Sequence, residues 1–286
     1  MSEDPNNSGD SPLVTDAWLD EHLDDPALRI VDTRKGDGYT TSHIAGALCL
    51  DASPFLRDNG DVIGAREFAQ LMSRLGIDTG TTVIAYDDGN NLFAARLWWV
   101  LKYYGHVDVR VLDGGWDHWV AGNRPCNRAV TTPVPARFEA RATAGWNVDT
   151  ETVAASIAKP ERVILDVRSD AEWLRVDDSG STPPGHIPGA VHLVWSDVID
   201  PGNSCFKPAA GLRTMFHDLG LRPDQEILVY CLGGIRAAHS VLALRHAGFG
   251  HARNYEGSWA AWSRTDLPLE PAQRSTSRPT MSGANT

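Results

Sequence analysis

The chain is poor in cysteine, with four in 286 residues: Cys49, Cys126, Cys205 and Cys231. No two stand in C-x-x-C spacing and no histidine pair joins them, so neither a metal site nor a cofactor is expected. Long apolar runs are also missing; none approaches the roughly 18–20 residues that a membrane span needs. Positive charge is in deficit, 26 Lys and Arg against 37 Asp and Glu for a net −11, which argues against a duplex nucleic-acid binder. The stretch from Met1 to Pro12 lacks the basic region and apolar core of a signal peptide. These absences point to a cytoplasmic protein with neither nucleic acid nor membrane as partner. In a reducing compartment, the default role of any one cysteine is a small buried apolar residue.

What is present repeats once. Ile30-Val-Asp-Thr-Arg34, Ser42-His-Ile-Ala-Gly-Ala47, Val83-Ile-Ala-Tyr-Asp87 and Val111-Leu-Asp-Gly-Gly-Trp116 recur in the same order in the second half. Their counterparts are Val163-Ile-Leu-Asp-Val-Arg168, Gly185-His-Ile-Pro-Gly-Ala190, Ile227-Leu-Val-Tyr-Cys231 and Asn254-Tyr-Glu-Gly-Ser-Trp259. His43 precedes Asp87 by 44 positions and His186 precedes Cys231 by 45. Ordered self-similarity of this kind marks a duplicated domain. The second copy carries extra residues within Val176 to Pro184, a Ser-, Gly- and Pro-containing stretch that reads as an exposed loop. The expected division is a disordered start over 1–12, a domain over 13–125, a linker over 126–145, a second domain over 146–268 and a disordered tail over 269–286.

Short apolar runs such as Val163–Val167 and Ile227–Tyr230 fit strands buried on both faces of a parallel sheet. Helical patterns alternate with them: Asp16–Leu23, Asp149–Ile157 and Ala237–Ala247, the last stopped by Gly248. The expected class is α/β, each domain an open, mainly parallel sheet flanked by helices, with ligand-facing loops at the strands' C-terminal ends.

Cys231 departs from the default for a cysteine. It ends an apolar strand and is followed by Leu232, Gly233, Gly234, Ile235 and Arg236. Two glycines let the backbone curl so that several N–H groups converge on one atom as an anion nest. A helix starting near Arg236 adds its positive end, and the guanidinium adds a fixed charge. Such surroundings favour a thiolate, the nucleophilic form. Attack on a sulfane sulfur would leave a persulfide for a second nucleophile to remove, in two half-reactions.

These motifs resemble those of the rhodanese family, the thiosulfate and 3-mercaptopyruvate sulfurtransferases, over about residues 13–268. The resemblance implies two tandem domains, the first inactive and the second active, with a substrate cleft between them. It also implies a small anionic sulfur donor, thiosulfate before 3-mercaptopyruvate, and cyanide or a thiol as acceptor, a thioredoxin-like protein among the candidates. The first domain has Asp87 in the place of Cys231, and a carboxylate accepts no sulfane sulfur. Glu172 stands where the family carries a substrate-binding arginine, and Arg175 is the nearest substitute.

The remaining candidates read as structural. His186 has its match, His43, in the silent domain, so loop geometry explains it better than catalysis. His239 falls on the helix after the loop, Asp166 and Arg168 recur as Asp32 and Arg34, and Arg96 reads as an ion-pair partner. Trp195 and Trp259 are candidates for the cleft border, and Cys205 for a bystander. A cysteine phosphatase would place five residues between its cysteine and arginine; here four separate Cys231 from Arg236. A non-catalytic sulfur-carrier or regulatory module is the other alternative.

Overall fold

The computed structural model describes residues 11–50, 62–175 and 182–271. The first domain runs β1 (Leu13–Val14), α1 (Asp16–Glu21), β2 (Leu28–Asp32), α2 (Gly36–Thr41), β3 (His43–Ile44), β4 (Leu48–Cys49), α3 (Ala65–Arg74), β5 (Thr82–Tyr86), α4 (Leu92–Tyr103), β6 (Val109–Leu112), α5 (Gly115–Ala121) and β7 (Cys126–Asn127). The second runs β8 (Asn147–Val148), α6 (Thr150–Ala154), β9 (Arg162–Asp166), α7 (Asp170–Trp173), β10 (Val191–His192), a 3₁₀ turn (Trp195–Val198), α8 (Ala209–Asp218), β11 (Glu226–Tyr230), α9 (Ile235–His246), β12 (Ala252–Tyr255) and α10 (Ser258–Trp262).

Two five-stranded sheets result, ordered β1-β6-β5-β2-β4 and β8-β12-β11-β9-β10, and every pairing within them is parallel. The two orders match strand for strand, so the repeat seen in sequence is a repeat of topology. Asp87 follows central β5 and Cys231 follows central β11, both at C-terminal strand ends where open α/β sheets present their loops. Thr15 and Asp149 cap α1 and α6 by accepting backbone N–H groups, which starts each half the same way.

The helices that follow those two loops, α4 and α9, pack against each other. From Ala94 to Leu101 in α4 and from Ala237 to Leu244 in α9 every residue is buried. A helix that is apolar on all sides has no solvent face and needs cover all round. Each lies on its own sheet and against the partner domain, and one continuous apolar cluster holds Leu97, Leu101, Val241 and Leu244.

Some boundaries differ from those read in sequence. Cys126 and Asn127, assigned to the linker, pair antiparallel with Ile44 and His43. The linker is pinned to the first domain: Phe138 is buried edge-on to Phe68, and Ala136 N–H bonds the Ser73 carbonyl at 2.9 Å. Residues 11–12 and 269–271, placed in the tails, belong to the folded body. The Pro12 carbonyl accepts from Val111 at 2.9 Å, and Glu270 and His186 exchange backbone hydrogen bonds at 2.9 and 3.0 Å. The reason is edge pairing, which composition does not reveal. The disorder expected over 1–10 and 272–286, and most of the inserted loop, 176–181, lie outside the described residues. No helix among the described residues is long and apolar enough to cross a membrane.

Candidate active site

The loop after β11 turns on Gly234, whose φ of +83° suits glycine and which caps α9. Its N–H lies 3.1 Å from Cys231 Sγ and 3.0 Å from Ser258 Oγ. Ser258 Oγ also accepts the Cys231 N–H at 3.1 Å, donates to the Tyr255 carbonyl at 2.8 Å and stands 3.9 Å from the sulfur. The thiol thus sits at the positive end of a twelve-residue helix, with one main-chain donor already on it. Cys231 is 1% exposed whereas Leu232 is 38% exposed, so the loop's first residue after the sulfur forms the outer surface. Gly233, Ile235 and Arg236 are half-buried.

Arg236 is not a free cation. Its fork closes on Glu172 at 2.6 and 2.8 Å, and Glu172 also accepts from Ser169 N and Oγ in a capping box at the start of α7. Burial opposes the charge on both partners. For Glu172 the hydrogen bonds from Arg236 and Ser169 outweigh burial and take the carboxyl down to about 2. For Arg236 the bond to Glu172 and the nearby Cys231 sulfur outweigh burial and hold the guanidinium above its usual value. Arg175 donates to the carbonyls of Thr182 and Pro183 (3.0 Å to the latter), and its described bonds do not reach the Cys231 loop.

The other singled-out residues shape the site from behind. Arg168 binds Asp166 through Nε and Nη2 (2.6–3.0 Å) and also the Gly185 carbonyl at 2.9 Å. Arg34 and Asp32 repeat this with Ser42. Each guanidinium lies over the tryptophan of its closing motif, Arg168 over Trp259 at 4.6 Å and Arg34 over Trp116 at 4.1 Å. That stacking places Trp259 in the core, fully buried, rather than at a cleft edge. His43 bonds the Tyr39 and Ala129 carbonyls, and His186 stacks on Trp173 at 3.8 Å beside Glu270. The described contacts of neither ring reach Cys231.

Several residues join the domains here. His239 Nε2 bonds the Asn90 carbonyl on the first domain's loop at 2.8 Å, and Trp195 meets His239 edge-on at 5.3 Å. Arg96 Nη1 reaches Glu256 Oε2 at 2.6 Å, with Nη2 on Oε1. Cys205 packs where a Cβ on Gly114 would come within 2.8 Å of its sulfur; burial, aided by Asp113, pushes its thiol up to about 12. Ser258 and Glu256 were missed in sequence. Both lie inside the repeated closing motif, and that repetition was the available signal.

The Asp87 loop is the same design with its nest filled. Asp87 Oδ2 accepts the Phe93 and Ala94 N–H groups at 2.7 and 3.0 Å, so the chain's own carboxylate takes the place of a bound anion. Trp116 N–H caps the Asp87 carbonyl at 2.8 Å as Trp259 N–H caps that of Cys231 at 3.0 Å.

Two parallel α/β domains, each presenting a helix-start loop after its central strand and only one carrying a thiol there, define the class. The rhodanese-like domain family model matches residues 15–122 and 149–265, and the chain belongs to that family as a tandem pair. Its relatives span most of its length. The sulfur carrier protein TtuD of Thermus thermophilus is 36% identical over 87% of this chain and 93% of its own. A thiosulfate sulfurtransferase of Corynebacterium glutamicum is 34% identical over 91% of each. The crystal structure of SseA from Escherichia coli, described as a 3-mercaptopyruvate sulfotransferase, superposes with a TM-score of 0.76 at 27% identity, covering 87% of this chain and 99% of that one.

Proposed function

We propose that Cys231 carries sulfur as a persulfide, drawn from a small anionic donor, with thiosulfate favoured over 3-mercaptopyruvate. The chain is a sulfurtransferase, as the named relatives support. The observation that carries the Cys231 assignment is the Gly234 N–H at 3.1 Å from a sulfur seated at the start of α9. In the first half-reaction the thiolate attacks the outer sulfur of thiosulfate; the S–S bond breaks and sulfite leaves with its electron pair. Cyanide or a thiolate then attacks the outer sulfur of the persulfide, and Cys231 departs as thiolate. No other oxidant or reductant is needed, and the scheme is ping-pong covalent catalysis. The main-chain donors of Leu232 to Ile235 and the paired Arg236 serve donor and persulfide, while the described bonds of Arg175 go to Thr182 and Pro183. The first domain is silent because Asp87 has no sulfur-accepting atom.

The Thermus relative's name as a sulfur carrier supports a protein thiol as acceptor, with a thioredoxin-like partner the candidate. A cytoplasmic location fits, because a reducing compartment keeps the thiol available. Intact-mass analysis after thiosulfate treatment tests the reading. Wild type should gain one sulfur and lose it to cyanide, and Cys231→Ser should gain none. Cys49→Ser, Cys126→Ser and Cys205→Ser should behave as wild type. A Cys231→Ser protein that still took up sulfur would end this assignment.

A further inference from the structure

A chain of buried contacts runs from the silent domain to the sulfur. Arg96, on α4, is 1% exposed and forks onto Glu256, which is 3% exposed. Among the described ion pairs Arg96 is the cation that neutralises Glu256. Glu256 Oε2 accepts from Asn254 Nδ2 at 2.9 Å, and the same nitrogen donates to the Gly234 carbonyl at 3.1 Å. Glu256 also lies directly under Gly234: a Cβ there would stand 2.8 Å from the carboxyl carbon and 3.0 Å from the Glu256 carbonyl. Gly234 in turn holds the N–H on Cys231. A second contact crosses the domains nearby in the repeat: Asp113, the acid of the first domain's closing motif, accepts the Phe206 N–H from the second domain at 2.8 Å.

We propose that Arg96 is a positioning residue for Cys231: acting through Glu256 and Asn254, the silent domain holds Gly234 in place and cancels a buried charge beneath the thiolate. This rests on the reading of Cys231 as the sulfur-carrying residue. The charged groups around the loop fall into pairs. Arg236 with Glu172 comes from α9 and α7, Arg168 with Asp166 from the end of β9, and Arg96 with Glu256 from below. His239 on α9 is fully buried and held neutral, its pKa taken down to about 4 by that burial, and the Tyr230 hydroxyl is buried and protonated. Asp87 and the exposed Asp88 come from the first domain's loop. Removing Arg96 alone takes the described cation from the carboxylate beneath the sulfur, and a buried charge without its partner is strongly unfavourable.

The test uses the full chain with Cys49, Cys126 and Cys205 replaced by serine, so that iodoacetamide reports Cys231 alone. Rates of alkylation against pH give the thiol's midpoint, and persulfide formation from thiosulfate is timed beside it. Arg96→Met should raise the midpoint by about one unit or more and slow persulfide formation at pH 7 roughly tenfold. Arg96→Met with Glu256→Gln should return the midpoint to near wild type, because the amide still accepts from Asn254 and both charges of that pair are gone. Glu256→Gln alone, which removes the carboxylate beneath Gly234, should move it down.

An unmoved midpoint in Glu256→Gln, or a shift in Arg96→Met that persists in the double variant, would overturn the proposal in favour of packing. If Arg96→Met fails to fold, Glu256→Gln and the double variant decide. A wild-type chain that alkylates normally but gains no sulfur would sink the persulfide reading while leaving the coupling measurable.

Discussion

At the head of α4 a buried carboxylate, Asp87, takes up main-chain donors at the place where Cys231 stands before α9. It accepts two N–H groups, yet its other oxygen has no hydrogen-bond partner among the described residues, and burial pushes its pKa up to about 7 despite those bonds. The sign of the consequence follows. A carboxyl whose folded pKa lies above its unfolded value stabilises the fold at low pH, and that contribution is lost as pH rises toward 7. Asp87→Asn keeps an oxygen for Phe93 and Ala94 without the charge. It should therefore stabilise the protein by about 1–3 kcal/mol at pH 8, the gain vanishing toward pH 4, as urea midpoints across that range would show. A gain over wild type no larger at pH 8 than at pH 4 would contradict this account.

At the scale of an element, α9 carries the site at one end and an interdomain contact in its first two turns. His239 and His246 are both taken down to about 4 by burial, and His239 holds the Asn90 carbonyl. A histidine with a depressed folded pKa contributes stability above its unfolded value near 6.5 and loses it as pH falls toward 4. Over that window the two histidines oppose Asp87. Replacing His239 with Gln should flatten the fall in stability between pH 6.5 and 4, because the side chain no longer takes up a proton on unfolding. The check is the urea midpoint at several pH values, and a slope equal to that of wild type would rule His239 out as a contributor. Below this window the Glu172–Arg236 pair takes over: its contribution is complete above pH 4.5 and declines toward pH 2.

Across the whole molecule, α4 and α9 share one apolar cluster, and charged or polar side chains cross it at Arg96, His239 and Asp113. Neither domain closes its core without the other. Unfolding in urea should therefore appear as one transition, with tryptophan fluorescence and far-ultraviolet circular dichroism coinciding. Two separated transitions would mean that the interface is weaker than its burial implies. Through the same packing the first domain covers α9 and reaches beneath the Cys231 loop.

Much of this was legible in the chain. The ordered repetition of four motifs established two copies of one fold, because identical strand, loop and closing signatures require identical topology. Cys231 followed by two glycines and an arginine marked a tight turn at a strand's end, since only certain backbone angles permit it, and Asp87 marked the copy without a thiol there. Which charges meet was decided only in three dimensions. Arg236 finds Glu172 64 positions away, and Arg96 finds Glu256 across 160 positions. Periodicity and turn chemistry are written into neighbouring residues, whereas ion pairs and shared cores depend on how two completed domains come to rest against each other.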